Sequence, residues 1–341
     1  MSWDGVHWDI RSILPYQRNF NFVNSVRRYG KTYSALDYAL KRFEDYGEEI
    51  VYFVRKVSEL KNASLWEAIQ KVWIEQHPHL KLEYKKDILY SRSEDDVLTP
   101  VGYTLCLKHY DTIKRKSYPK VRTGIFDEYV KEEGITEYVN GWKEPDLILN
   151  LYDTIDRAEN KVKMFFFANH ITPFNPYHMH PVFRIPQIPE GEVWKRPNIL
   201  YSNEKPNEKF LELQKNNAFL NMVKGSSYDA YANKAKYLLY DSTFVKKRTP
   251  KAKLQFNIGW QGMWFGIWVD WDNRLIFIDD KYNLGIKINF ALTNDDHREG
   301  TVIGKRSKDL KWLIDCYKHG EVYYVSEKVK AKAEAAIRSL L

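Results

Sequence analysis

Short apolar runs alternate with helical patterns through the first half of the chain. Residues 20–24, 49–54, 123–127 and 162–168 are rich in aromatic and β-branched residues, which predicts buried strands. After the first run, apolar residues recur at helical spacing over 33–43, which predicts a helix. Buried strands that alternate with helices are typical of a parallel sheet with helices on its faces. The pattern therefore predicts an α/β domain.

Further patterns extend this domain and mark its end. Helical spacing recurs over residues 65–74 and 146–155, and strand-like runs between 87 and 107 predict a small β-rich excursion at the edge of the sheet. Five prolines between residues 173 and 189 indicate irregular chain. We therefore expect a first domain over residues 1–197.

The last third of the chain has a different pattern. Strand-like runs over residues 254–280, with a turn at 272–273, predict a β-meander, and residues 329–340 predict a closing helix. We expect residues 198–227 to form a helical linker. A smaller α+β domain should then span residues 228–341.

The first predicted strand leads into a sequence that suits a phosphate group. Triphosphate binding needs backbone N–H groups around the anion, a helix N-terminus, a lysine for the β and γ phosphates and a hydroxyl for Mg²⁺. Lys31 and Thr32 follow Gly30 and supply the last two groups. Ser25 stands where the usual pattern has glycine, so an ordinary turn stays open, but the flanking strand and helix favour a phosphate loop. The predicted ATP-binding residues of the loop are Ser25, Val26, Arg27, Arg28, Tyr29, Gly30, Lys31 and Thr32.

A later strand ends in two acids, Asp127 and Glu128. ATP hydrolysis needs a carboxylate that holds Mg²⁺ and a base that takes the proton from the attacking water. We expect Thr32 and Asp127 to hold the metal and Glu128 to be the general base. ATP and Mg²⁺ are therefore the expected cofactors.

Three further residues are candidates for the same site. Asn169 ends the next predicted strand, where it would sense the γ-phosphate or position water. Arg157 precedes that strand and would reach a neighbouring subunit's γ-phosphate, although a salt bridge explains it equally well. Arg18, with Tyr16 and Gln17, precedes the first strand and is a candidate for the border of the adenine, with a surface loop as the alternative.

Basic residues favour a nucleic-acid partner. The net charge is +8, and residues 226–341 hold 20 Lys and Arg against 14 Asp and Glu. Five basic residues also fall within 114–122. Such surfaces suit a polyanion and are equally compatible with a solvated face. The candidate DNA contacts are Arg55, Lys56, Lys114, Lys116 and Lys120.

Several other classes of protein are disfavoured. No apolar run approaches the ~20 residues of a membrane span, and the first nine residues lack the basic start and apolar core of a signal peptide. The only cysteines, Cys106 and Cys316, lie far apart, which favours a reduced, cytoplasmic setting. His178 and His180 lack companion ligands in the nearby sequence, so a metal is not expected there.

Acids in the last third leave a two-metal nuclease open. Most of them fall at predicted strand ends and turns, where acids are common in any case. We therefore do not expect an active nuclease. These acids are Asp270, Asp279, Asp280, Asp295 and Asp296.

A set of different short motifs is distributed along nearly the full chain. With them the sequence resembles the DNA-packaging (encapsidation) ATPases of phi29-type phages, small relatives of the terminase large subunits. Terminase-type loops tolerate serine at the first loop position, so Ser25 fits. The motifs are Tyr16-x-Arg18, Asn21-Phe22-Val23 before the phosphate loop, Val54-Arg55-Lys56, Tyr118-Pro119 before Ile125-Phe126-Asp127-Glu128, Asp153-Thr154-Ile155-x-Arg157, Asn169 with Asn175-Pro176-Tyr177, Phe265-Gly266-Ile267-Trp268-Val269-Asp270, and Arg306-Ser307-Lys308-Asp309.

The resemblance implies both a fold and a machine. It implies a P-loop ATPase domain of the additional-strand, catalytic-glutamate (ASCE) class, RecA/FtsK-terminase-like, and an RNase H-like C-terminal domain that has lost its metal ligands. It also implies a homo-oligomeric ring, usually a pentamer, that docks on the portal of an empty capsid and moves double-stranded DNA inward. An RNA ring at the portal is a partner in such motors. Glu128 would be the base, and Arg157 would act in trans. The motor would work in the host cytoplasm and transiently at the portal vertex, and it is not expected in the mature virion.

Two alternatives stay open at the level of sequence. One is a terminase large subunit with a working metal-dependent nuclease. The other is a P-loop helicase or remodeller that acts away from any capsid. A purely structural DNA-binding protein has little reason to carry both Lys31-Thr32 and Asp127-Glu128.

Overall fold

The chain divides into two compact units, residues 1–239 and 240–341. The computed structural model describes residues 4–61, 64–131, 138–215, 217–226, 242–303 and 307–341. The expected start of the second domain at residue 228 and the motif residue Arg306 lie outside the described residues, so that domain boundary stays a prediction.

The first unit is built on one sheet of nine described strands. They are β1 Phe20–Asn24, β2 Glu49–Val54, β3 Leu82–Lys85, β4 Ile88–Arg92, β5 Leu98–Cys106, β6 Val121–Asp127, β7 Lys163–Ala168, β8 Glu192–Arg196 and β9 Ile199–Asn203. Their order across the sheet is β3-β4-β5-β2-β6-β7-β1-β9-β8. The run from β5 to β9 is parallel, and the outer β3, β4 and β8 are antiparallel to their neighbours. The predicted buried strands and the edge excursion are confirmed.

Helices cover both faces of this sheet because successive strand residues point to opposite sides. Phe22 packs into the core that contains Ile148 and Leu151, whereas Val23 packs into the core that contains Leu36 and Ile69. The predicted helices at 33–43, 65–74 and 146–155 are confirmed. The described helices are α1 Lys31–Tyr46, α2 Val57–Lys61, α3 Ser64–Gln76, α4 Tyr110–Ile113, α5 Glu144–Asp156, α6 Glu208–Lys215 and α7 Ala218–Met222.

The position of β7 defines the class of the fold. It pairs in parallel with β1 on one side and with β6 on the other. One additional strand therefore separates the strand before the phosphate loop from the strand that ends in Asp127, as the ASCE class requires. Because all three strands are parallel, their carboxyl ends meet at one edge of the sheet.

The expected linker begins later than residue 198. Residues 199–203 form β9, which pairs with β1 along its whole length, so this part of the prediction is wrong. The apolar stretch Ile199-Leu200-Tyr201 is the local signal for this strand, and the linker assignment overlooks it. The helical part is present as α6, whose Phe210 packs 4.9 Å from the ring of Tyr29 within the same unit.

The second unit contains a six-stranded sheet among its described residues. Its elements are β10 Lys253–Trp260, β11 Met263–Asp270, β12 Leu275–Asp279, β13 Asn289–Ala291, β14 Val302–Ile303, α8 Lys308–Lys318, β15 Val322–Tyr324 and α9 Glu327–Arg338. The strand order is β14-β13-β10-β11-β12-β15. The predicted meander is β10-β11-β12, and β13 and β14 add in parallel beside β10. The five strands from β14 to β12 follow the order of an RNase H-like sheet, and β15 adds in parallel beside β12. Helices α8 and α9 pack on one face of the sheet.

Among the residues that the structure describes, no helix combines the length and apolar character needed to cross a bilayer.

Candidate active site

The phosphate loop joins β1 to α1 at the carboxyl edge of the first sheet. Gly30 is the N-cap of α1 and has a φ of 86°, a left-handed conformation that favours glycine. The ring of His7 lies directly against it, and a Cβ atom on residue 30 would approach the Cβ of His7 to 3.0 Å. Both the backbone conformation and this close approach therefore require glycine. The first turn of α1 therefore begins directly at the phosphate loop.

Lys31 is held inside the loop by neutral oxygen atoms. Its Nζ donates to Ser25 Oγ at 2.8 Å, to the carbonyl of Val26 at 3.3 Å and to Asn169 Oδ1 at 3.3 Å. Burial lowers the pKa of Lys31 to about 8, although the Asp127 carboxylate favours the charged form. Ser25 thus has a role that glycine could not fill in this structure.

Asp127 and Glu128 follow each other at the end of β6 but differ in their surroundings. The Thr32 hydroxyl donates to Asp127 Oδ2 at 2.5 Å, which joins the loop to the acid strand. Glu128 has a φ of 54°, and its side chain is exposed beside the cavity. Its backbone N–H donates to Asp127 Oδ1 at 2.9 Å. The sharp turn at Glu128 therefore separates two consecutive carboxylates: that of Asp127 is bonded to Thr32, and that of Glu128 is exposed beside the cavity.

A cavity of about 430 Å³ collects the predicted catalytic groups at this edge. Arg27, Asp127, Glu128 and Asn169 line it, together with residues from the end of β2 and the turn after β6. Lys31 reaches Asn169 at its border. The structure therefore brings Lys31, Thr32, Asp127, Glu128 and Asn169 together from the ends of two parallel strands, β6 and β7, and the start of α1.

Arg55 lies inside the first unit, at the end of β2. Its side chain is 7% exposed and pairs with Glu144, which is fully buried, through an Nη2–Oε1 contact of 2.7 Å. The guanidinium also donates to the backbone carbonyls of Glu128 at 2.7 Å and Tyr129 at 2.8 Å. The prediction that Arg55 contacts DNA is wrong, because its guanidinium is buried and bonded to Glu144 and to two backbone carbonyls. Glu144 stands 89 residues away in sequence, and no local signal points to it.

Arg18 lies at the wrong end of β1 for the ATP site. It precedes Phe20, whereas the phosphate loop begins after Asn24, and a five-residue strand spans about 17 Å. The neighbouring Gln17 accepts from Lys163, which opens β7 at its amino end. The prediction that Arg18 borders the adenine is therefore wrong.

An earlier segment, which sequence reasoning missed, contacts the loop instead. The backbone N–H of Trp8 donates to the carbonyl of Tyr29 at 2.8 Å, and that of Ile10 donates to Ser34 Oγ at 2.9 Å. The Tyr29 hydroxyl accepts from the backbone N–H of Asn207 at 3.1 Å. Tyr29 is buried and anchors the loop, whereas the adjacent Arg28 is exposed with a φ of 65°.

The end of β1 is tied to the turn after β6 by a buried hydrogen-bond chain. The Tyr129 hydroxyl donates to Asn24 Oδ1 at 2.7 Å and lies 2.7 Å from His178 Nε2. Because that hydroxyl has one proton, His178 Nε2 carries the proton of the second bond. Burial lowers the pKa of His178 to about 3, so the imidazole is neutral. His178 and His180 have separate partners, since His180 Nε2 lies 3.0 Å from Asp146 Oδ1.

Arg157 and the basic-loop lysines lie away from the cavity. Arg157 caps the end of α5 with a φ of 51° and is exposed, just before the amino end of β7. Lys114, Lys116 and Lys120 are exposed, and Lys56 is partly buried. Their contacts with DNA stay predictions.

In the second unit, the acids that suggested a nuclease are dispersed. Asp270 accepts from Thr249 and Asn273, and Asp279 pairs with Arg248 at 3.0 Å. Asp296 accepts from Thr293 and from the backbone of Gly262. Asp280 is exposed at a bend after β12, and Asp295 is exposed in a short 3-10 helix.

At the centre of that sheet two buried amides face each other instead. Asn257 in β10 and Asn289 in β13 are in register, and Asn257 Nδ2 donates to Asn289 Oδ1 at 2.6 Å. Within the described ranges, no group of three or more His, Cys, Asp or Glu residues is placed to hold a metal ion.

The sequence matches the family described as Podovirus DNA encapsidation protein (Gp16) over residues 4–339. It is 27% identical over 337 residues to the DNA packaging protein of Bacillus phage phi29, covering 97% of this chain and 96% of that protein. Among solved structures it is similar to the bacteriophage phi29 viral genome packaging motor assembly, with a TM-score of 0.72, 26% identity, and coverage of 98% of this chain and 100% of that chain.

It is also similar to the N-terminal domain of the DNA packaging ATPase from bacteriophage phi29, with a TM-score of 0.50 and 26% identity over 59% of this chain and 97% of that chain. Because the family match spans nearly the whole sequence, this protein belongs to the Podovirus DNA encapsidation protein (Gp16) family.

Proposed function

We propose that this protein is an ATP-driven motor that moves viral double-stranded DNA into a preformed capsid. One observation carries the proposal. Asp127, Glu128 and Asn169 line one cavity, and Thr32 and Lys31 of the phosphate loop are hydrogen-bonded to Asp127 and Asn169, in a chain of a DNA-encapsidation family. That combination favours a packaging motor over a helicase or remodeller acting away from a capsid.

The roles of the site residues follow from their positions. Lys31 extends from the loop toward Asn169 and would contact the β and γ phosphates. Glu128 reaches the cavity on an exposed side chain and would take the proton from the attacking water. Asn169 follows β7, the strand that lies between β1 and β6, and would orient that water or sense the γ-phosphate.

Thr32 and Asp127 fit a magnesium ion. A hydroxyl and a carboxylate are oxygen ligands of the kind that Mg²⁺ prefers, and their oxygen atoms lie 2.5 Å apart. When bound with the nucleotide, the ion neutralises charge on the β and γ phosphates.

Arg157 is proposed to act on the nucleotide of a neighbouring subunit. It lies at the amino end of β7, whereas its own phosphate loop lies at the carboxyl edge of the same sheet. It is exposed, and its left-handed backbone conformation is unusual for a residue other than glycine. A head-to-tail ring, proposed here as a pentamer, would give every subunit one such neighbour.

Mixed rings test the action in trans. Subunits with Glu128→Gln and subunits with Arg157→Ala should each be inactive alone. In a random equal mixture, about one quarter of the head-to-tail interfaces pair an intact Glu128 with an intact Arg157, so ATP turnover should return in part. Failure to regain any turnover, with mixed rings verified by native mass spectrometry, would contradict the role of Arg157.

The remaining partners rest on family membership and surface charge. Exposed Lys114, Lys116 and Lys120, and the partly buried Lys56, are proposed DNA contacts. A portal and a packaging RNA are proposed partners of the ring. The motor would work in the host cytoplasm, transiently at the portal vertex, and would be absent from the mature virion.

We also infer that the second unit does not cut DNA. Two amides, Asn257 and Asn289, occupy the centre of its sheet, and two-metal nucleases need carboxylates there to hold divalent ions. The acids nearby are taken up by hydrogen bonds and an ion pair. This argument favours a packaging motor over a terminase with an active nuclease.

ATP turnover is the direct test of the enzyme. Wild-type protein should hydrolyse ATP faster with double-stranded DNA, and Glu128→Gln should lose roughly 10²–10⁴-fold in rate. Glu94→Gln, the same change at an exposed edge-hairpin position, is the control and should match wild type. Supercoiled plasmid should stay intact with Mg²⁺ or Mn²⁺. Metal-dependent cutting would favour the terminase alternative, and turnover indifferent to DNA and to Glu128 would contradict the assignment of the site.

A further inference from the structure

The turn at residues 175–178, which follows β7, contains the motif Asn175-Pro176-Tyr177. Asn175 is buried, and its Oδ1 accepts from the backbone N–H groups of Tyr177 at 3.1 Å and of His178 at 3.0 Å. Its Nδ2 donates to the carbonyl of Thr172 at 3.1 Å. An asparagine that bonds to the backbone after it fixes a local turn. Asn175 therefore sets the backbone from which two consecutive side chains, Tyr177 and His178, enter the interior of the first unit.

Tyr177 contacts the buried ion pair of Arg55 and Glu144. Its hydroxyl donates to Glu144 Oε1 at 2.8 Å, and the same oxygen accepts from Arg55 Nη2 at 2.7 Å. The guanidinium in turn donates to the carbonyls of Glu128 and Tyr129. A hydrogen bond to a charged group is strengthened by a buried, low-dielectric setting. Tyr177 thus supports the backbone of the turn after β6 through two intervening side chains.

His178 contacts the turn after β6 directly. Its Nε2–H donates to the Tyr129 hydroxyl at 2.7 Å, and that hydroxyl donates to Asn24 Oδ1 at 2.7 Å. Asn24 ends β1, and the next residue, Ser25, begins the phosphate loop. His178 is therefore joined both to the turn after β6 and, through Asn24, to the start of the phosphate loop.

The turn after β6 needs such support because of its conformation. Glu128 has a φ of 54°, and a residue other than glycine keeps such a conformation only where its surroundings hold it. The restraints on this turn include a backbone bond to β7, the Arg55 guanidinium on two carbonyls, and His178 on the Tyr129 hydroxyl. The turn at residues 175–178 takes part in the last two.

We propose that Asn175, Tyr177 and His178 are positioning residues for the general base: they hold the turn after β6 in the conformation that places the Glu128 carboxylate at the catalytic cavity. All three are buried, and they act through that turn rather than on the nucleotide. The inference rests on the proposed ATP hydrolysis, which makes Glu128 the base. It adds the contact from His178, which is separate from the Arg55 and Glu144 pair.

His178→Leu removes the donor to the Tyr129 hydroxyl but leaves the bond from that hydroxyl to Asn24. We expect kcat for ATP to fall roughly 10–100-fold because the base is displaced, while KM stays within about twofold of wild type because the phosphate loop is intact. His178→Gln should restore most of kcat, because its side-chain amide can donate to the same hydroxyl. Wild-type kcat in folded His178→Leu, or no rescue by His178→Gln, would overturn the inference.

His180→Leu is the matched control, because it makes the same change two residues further along the chain. His180 is also buried, but its Nε2 lies 3.0 Å from Oδ1 of Asp146, whose side chain is 54% exposed. We expect this variant to lower the melting temperature without lowering kcat. If both leucine variants lose kcat in proportion to melting temperature, the two histidines only support the fold, which contradicts a positioning role for His178.

The Glu128→Gln background separates positioning from a general structural effect. Where two residues act as a unit, the loss from the second change does not add to the loss from the first. The residual single-turnover rate of Glu128→Gln should therefore stay within about twofold when His178→Leu is added. A further loss as large as in the wild-type background would overturn the inference. Wild-type turnover by Glu128→Gln alone would instead contradict the proposed base, and with it the proposed function.

Tyr177→Phe keeps the inference testable if His178→Leu does not fold, because it removes only one hydroxyl. We expect kcat to fall about threefold or more at unchanged KM, and the loss should disappear in the Glu128→Gln background. Tyr103→Phe is its control, because the Tyr103 hydroxyl also donates to a buried carboxylate, that of Glu49 at 3.1 Å, but at the amino end of β2. It should turn over ATP as wild type does. Wild-type kcat in Tyr177→Phe would show that the turn at residues 175–178 does not position the base.

Discussion

The buried pair of Arg55 and Glu144 should control the position of the catalytic Glu128. Arg55 Nε lies 2.9 Å from both carboxylate oxygens of Glu144, and the same guanidinium holds the carbonyls of Glu128 and Tyr129. Burial opposes the charged form of Arg55, but Glu144 more than offsets this, so the pKa of the guanidinium lies above its usual value. The ion pair thus fixes the backbone turn at residues 128–129, which positions the side chain of Glu128.

Glu144→Gln leaves the Arg55 cation buried without its counter-charge. Removing one partner of a buried pair costs about 3–5 kcal/mol of unfolding free energy. For a unit of this size each kcal/mol lowers the melting temperature by about 2–4 °C, so we expect a decrease of roughly 6–20 °C. Lys41→Met, which removes an exposed pair with Asp45, should leave the melting temperature unchanged.

The double variant Arg55→Met/Glu144→Gln separates stability from positioning. With neither charge present, much of the stability should return. In wild type the Tyr177 hydroxyl and the backbone N–H of Val139 donate to different oxygens of Glu144. The introduced amide can keep both bonds, because its oxygen can accept from Val139 and its Nε2 can donate to the Tyr177 hydroxyl oxygen. The Glu128 and Tyr129 carbonyls stay without their donor, so kcat should remain roughly 10–100-fold below wild type because the base is displaced. ATP hydrolysis and thermal melting on the same samples test this. A stable double variant with wild-type kcat would refute the reasoning.

Three further predictions follow from buried groups. Because burial sets the pKa of Lys31 near 8 and the unfolded chain retains 10.5, the unfolded state binds more protons between these values. The free energy of unfolding of nucleotide-free protein should therefore rise with pH across that window, by roughly 3 kcal/mol, and denaturant titrations of Lys31→Met should show a smaller rise. Tyr129→Phe removes a hydroxyl with two buried partners and should cost about 1–3 kcal/mol, whereas Tyr46→Phe at an exposed position should cost nothing measurable by thermal melting. Asn257→Asp places a carboxylate against the Asn289 carbonyl oxygen and should lower the melting temperature of the second unit by calorimetry, without producing plasmid cleavage; a stable variant would contradict the buried amide pairing.

Local patterns were sufficient for the elements and for the chemistry at their ends. An apolar run followed by Gly30-Lys31-Thr32 or by Asp127-Glu128 predicts a strand and a functional group near its end from local sequence alone. Parallel pairing of the strands then brings these groups to one edge of the sheet. The same reasoning placed Asn169 beside Lys31. Such residues are predictable because each lies within a few residues of the end of its own strand.

Residues whose roles depend on distant partners were not predictable in this way. Arg55 follows a strand as Asp127 does, but it points inward because Glu144, on α5, provides a buried counter-charge. Arg18 stands directly before β1, so its place at the amino end of that strand follows from sequence order, but nothing local shows that an earlier segment returns to the phosphate loop. Residues 4–8 fold back to the phosphate edge, whereas residues 16–18 stay at the other end.

Packaging of DNA itself tests the central claim most directly. Empty capsids that carry a portal and its packaging RNA, the full-length protein, ATP and double-stranded DNA should yield DNA that resists added DNase, and Glu128→Gln should yield none while still binding capsids. Glu94→Gln should package as wild type does. Protected DNA that accumulates equally with Glu128→Gln, or no protection with active wild-type ATPase bound to capsids, would contradict a motor driven by this site.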